Sequence, residues 1–143
     1  MAQNTEERIF NPAGTIDKRL AANKADGWRY DIMPDDRIAY VIGIDGIDEF
    51  AFAMFKKSFQ ELYLSDQIYL LEKIQKGETI GNNWNDIIPS LFFEDLLAEV
   101  TAIFYSHPFV QQQIGFVGMA DANGWNNIGL DSKDAIEPDE IIF

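Results

Sequence analysis

The stretch PSLFFEDLLAEVTAIFYSHP, from Pro89 to Pro108, sets the tightest limit on how this chain can fold. Proline is tolerated where a helix opens, because the first amides have no acceptor inside the helix, but it breaks the ladder further along. The two prolines therefore bracket one helix, from about Ser90 to Ser106. Phe92, Phe93, Leu96, Leu97, Val100, Ile103 and Phe104 cover more than one face of it. A helix apolar over so wide an arc is central, with neighbours on both sides.

Those neighbours are legible upstream. Ile44, Ile47, Phe50, Met54, Phe55 and Phe59 recur at three- and four-residue steps, the spacing of one helix face. In LSDQIYLLEKIQKG, Ser65 is a good N-cap, Leu64 and Tyr69 can form a hydrophobic staple, and Asp66 suits the positive end of the helix dipole. Leu71 and Ile74 make its inward face, and Gly77 can adopt the left-handed stop. GETIGNNWND is a loop by composition, and Pro108 suits the first position of a short helix that ends before Gly115. The expected fold is all-α: a small helical bundle with an extended N-terminal arm and an irregular Gly/aromatic-rich C-terminal tail. The arm covers residues 1–43, the helical body 44–114 and the tail 115–143, within one domain. In the arm, Thr15 can cap one short helix, IDKRLAAN, and Trp28 and Tyr30 are the expected packing points.

Composition closes several functional classes. The chain has no cysteine, so thiolate metal sites and disulfides within it are excluded. Its 24 acids against 11 bases leave a net charge of −13, and after Lys76 the next base is Lys133. Phosphate backbones and anionic lipid surfaces recruit Lys and Arg, so nucleic acid and membrane surface are poor partners. No segment reaches the roughly 18 apolar residues of a membrane span. The amino end, as written, has neither a basic–apolar leader nor a twin-arginine pair, which points to the cytoplasm; an excised twin-arginine signal would place the chain in the periplasm.

The segment FYSHPFVQQQIGFVGMADANGWNNIG puts large apolar side chains between glycines, where neither period of regular structure can be counted. Its chemistry is thin. His107 is the only histidine, and a neighbouring serine in sequence does not make a catalytic triad, whose members converge from separate elements. A capping role suits it better. DANGWNNIGLD fails as a calcium loop, with Trp125 and Asn126 where an oxygen ligand and a glycine belong. Gly115 and Gly118 follow no strand, so they do not form a phosphate-cradling loop. Adjacent carboxylates such as Asp35 and Asp36 diverge rather than face one substrate. No catalytic, cofactor-binding or metal residue is therefore assigned. The tail either folds back over an open side of the body or presents His107, Phe109, Phe116, Met119 and Trp125 to a partner, since aromatics and methionine are enriched at interfaces.

Several pieces in order resemble a known family. Phe59–Leu62, Asp66–Gly77, Phe92–Val100, Phe104–Pro108, Ile114–Gly118 and Gly124–Gly129 are similar to the gluconate 2-dehydrogenase subunit 3 family, over roughly residues 44 to 130. The resemblance implies a helical, non-catalytic small subunit of a flavin-dependent sugar or polyol dehydrogenase. It implies no cofactor in this chain and FAD in a large partner of the glucose–methanol–choline (GMC) oxidoreductase type, whose maturation and export the small subunit assists. In such families the small subunit often carries a twin-arginine signal, which this sequence lacks. The alternative from another class is a free-standing small hydrolase or isomerase using His107 with a nearby carboxylate.

Overall fold

In a computed structural model, which describes residues 10–25, 27 and 29–116, the first helix among the described residues opens at Pro12. Asn11 is the cap of α1 (Pro12–Ala21): its side chain accepts from the Gly14 amide at 2.8 Å. Proline follows it in the first helical position, where its missing N–H costs nothing. Thr15, the expected cap, lies inside the first turn and donates its hydroxyl back to the Asn11 carbonyl at 3.1 Å. The Asn–Pro pair outcompetes it.

α2 (Asp36–Phe55) begins well before Ile44. Apolar counting starts it late because its inner face is made of small residues: Ala39, Gly43, Gly46 and Ala51, with Tyr40 and Phe50. Gly43 and Gly46 let two large rings lie directly on the helix backbone. A Cβ at Gly43 would stand 2.3 Å from the Phe92 ring, and one at Gly46 would stand 2.8 Å from Trp84. Of the side chains expected inside, Phe50 is buried and Ile47 and Phe55 pack part-buried on the core, but Ile44 and Met54 are exposed. Phe59 belongs to the following 3-10 turn, Phe59–Glu61.

α3 (Leu64–Gln75) is entered through Tyr63, not Ser65. The start is set by the preceding turn, where Ser58 and Glu61 form a capping box and Gln67 Nε2 donates to the Phe59 carbonyl at 2.9 Å. Leu64 is left exposed, and the inward pair is Leu70 and Ile74 with Leu71 at their side. At the other end the expected stop is present. Gly77 takes φ +74°, its amide donates to the Ile74 carbonyl, and the Glu78 amide donates to Lys73. That pair of bonds is the Schellman arrangement, which favours glycine because a side chain resists that φ.

The loop after Gly77 carries a 3-10 turn, Asn83–Asn85, and is tied down by one carboxylate. Glu49 on α2 accepts from the backbone amides of Asn82 and Asn83 and from the Asn83 side chain, at 2.9–3.0 Å. This positions Trp84, which meets Phe92 with ring centroids 6.1 Å apart. Met33, Phe50, Leu62, Leu70, Ile74, Trp84, Ile87 and Phe92 form the core. Each such large side chain contributes about 1.5–3 kcal/mol by leaving water.

α4 (Pro89–Ser106) and α5 (Pro108–Gln113) follow the two prolines as expected. The covering of α4 is less complete than its apolar arc predicts. Phe92 is buried, Phe93 and Leu96 pack on the core, but Leu97 and Phe104 are exposed. Gly115 closes α5 with φ +71° and a second Schellman pair, from the Gly115 and Phe116 amides. The described residues divide into two compact units, 11–100 and residue 10 with 101–116. The described residues form no strand, so the all-α class stands.

Candidate partner-binding surface

The most organised polar cluster in the unit 11–100 is built around Arg19 of α1. Its guanidinium forks onto Glu99 of α4 at 2.7 and 2.8 Å, donates to Asp36 of α2 at 2.6 Å, and donates to the Lys24 carbonyl at 2.7 Å. Tyr40 adds its hydroxyl to Glu99 and its ring beneath the guanidinium. This is a clamp joining three helices. The Glu99 hydrogen bonds and then Asp36 hold Arg19 charged, well above even its usual range. Burial, and then the bond to Glu99, push the Tyr40 phenol above its ordinary value. The donors and carboxylates of the cluster are spent on tying α1, α2 and α4 together.

Beside it lies a cavity of about 400 Å³ lined by Lys24, Gly27, Arg29, Asp35, Asp36 and Arg37. Its two carboxylates are already committed, Asp35 to Arg29 and Asp36 to Arg19. The adjacent acids do diverge, each to its own arginine. The lining is mixed, with Leu20 and Ala25 beside the charged groups, and it is open rather than enclosed. Among the described residues no group of three or more His, Asp or Glu is placed to hold a metal ion.

His107 is the N-cap of α5. Its Nδ1 accepts from the Phe109 amide at 3.2 Å, and its ring meets Phe10 edge-on at 5.5 Å. Ser106 turns away and donates to the Ile103 carbonyl at 3.0 Å, so the two neighbours do not form a nucleophile–base pair. Of the tail residues expected at an interface, Phe109 is half-buried and Phe116 is exposed after Gly115. Met119 and Trp125 lie outside the described residues, as do the rejected calcium loop and Trp28.

The feature that sequence reasoning missed is the outer face of α2. Ile38, Val41, Ile44 and Phe52 keep 51%, 59%, 56% and 59% of their surface exposed, with Asp45 and Asp48 among them. Ile38, Val41 and Ile44 are separated from Phe52 by Asp45 and Asp48, and Asp48 accepts from the Phe59 amide at 2.8 Å. Ile38 and Val41 fall within the expected arm, residues 1–43, and Ile44 is the one residue of the four that the apolar spacing places on the inward face. Lys56 stands over the Phe52 ring at 5.6 Å and flanks these residues at their carboxyl end.

A family comparison bears directly on such a surface. The model of gluconate 2-dehydrogenase subunit 3 matches residues 11–131. The chain belongs to the gluconate 2-dehydrogenase subunit 3 family. The family is named for one subunit of a complex, which implies a partner chain, and the match reaches further upstream than the motifs that first suggested it, taking in α1 and the Arg19 clamp. No curated protein and no solved structure gives a significant match. Among the described residues, no helix of this family member is long and apolar enough to cross a membrane.

Proposed function

We propose that this chain is a non-catalytic small subunit of a flavin-dependent sugar or polyol dehydrogenase. It binds the large FAD-bearing subunit, of the GMC oxidoreductase type, and supports its maturation or stability. Family membership over residues 11–131 carries the reading. The polar groups agree with it: Arg19 and Tyr40 are committed to a clamp, and His107 and Ser106 to a helix break. FAD belongs to the partner, and Phe116, Met119 and Trp125 add tail contacts to the same assembly. The test is co-expression with the FAD-bearing dehydrogenase subunit of the same organism. The two chains should co-purify as a yellow complex, and omitting the small chain should lower the yield of flavin-loaded, sugar-oxidising enzyme several-fold. An active large subunit made equally well alone, with no complex, would refute the reading.

A further inference from the structure

We draw no further inference here: the strongest candidate, the open cavity between the end of α1 and the start of α2, carries nothing because Asp35 and Asp36 are already paired with Arg29 and Arg19, its Lys24 and Arg37 are exposed surface side chains, and no second observation there points to a ligand.

Discussion

At Gly43 the fold depends on the absence of a single methyl group. The Phe92 ring lies where that methyl would be, and the ring is itself buried against Trp84 and Tyr40, so it has nowhere to retreat. Alanine at this position gains about 1 kcal/mol of helix propensity but overpacks the core, which costs about 1–3 kcal/mol or more where neighbours cannot move. The expected outcome for Gly43→Ala is a net loss of about 1–2 kcal/mol, read as a lower urea midpoint with an unchanged slope. A gain in stability would mean that Phe92 can shift freely. The Arg19 clamp is also decided by single side chains, but by saturation rather than shape. Nε, Nη1 and Nη2 of the guanidinium all donate, and a lysine there would be too short of donors to reproduce the fork.

Among the elements, the loop after α3 is held by charge rather than by packing alone. The amide of Asn82, then that of Asn83, hold the Glu49 carboxyl below the ordinary carboxylate range. A carboxyl whose folded pKa is depressed stabilises the fold fully above its unfolded value, roughly 4.3, and loses that contribution as pH falls through the lower folded value. Glu49→Gln should therefore be less stable than the parent at pH 7, and the difference should shrink toward pH 3. Urea midpoints for both proteins at the two pH values test this; Glu61 and Glu78, also held low by their partners, are present in both and cancel. A difference that does not change with pH would show that Glu49 acts through its size alone. The ends of the helices were legible in the sequence wherever backbone chemistry forces a residue type: Pro89, Pro108, Gly77 and Gly115 all stand where expected. The starts of α1 and α3 were less so. Asn11 takes the cap of α1 by accepting from the Gly14 amide, four residues before Thr15, and α3 opens after Tyr63 with no side-chain cap bond, ahead of Ser65. The beginning of α2 was hidden because its inner face is written in glycine and alanine, which hydrophobic counting scarcely registers.

For the whole molecule, the division of labour with a partner is a matter of what each chain lacks. The tail was chosen in the sequence as the surface for a partner because aromatics between glycines have no regular structure to serve. The outer face of α2 escaped notice because Ile38 and Val41 fell within the expected arm, residues 1–43, while Ile44 was counted on the inward face. The Arg19 clamp joins residues 80 apart in sequence, beyond the reach of any local pattern. Catalysis and assembly can now be separated in one experiment. The isolated chain should show no flavin absorbance and no sugar-dependent dye reduction, whereas the complex with the FAD-bearing subunit should show both. Within that complex, His107→Asn keeps a side-chain acceptor for the Phe109 amide, since Asn is a favoured N-cap, but removes a group that can exchange protons near neutral pH. Its turnover should stay within a few-fold of the parent across the pH range. General acid–base participation is worth roughly 10²–10⁴-fold, so a structural cap and a proton-transfer group predict outcomes far apart. A turnover that collapses in His107→Asn while the complex and its flavin remain intact would place this chain in the chemistry. FAD bound by the isolated chain would contradict the assignment of the cofactor to its partner.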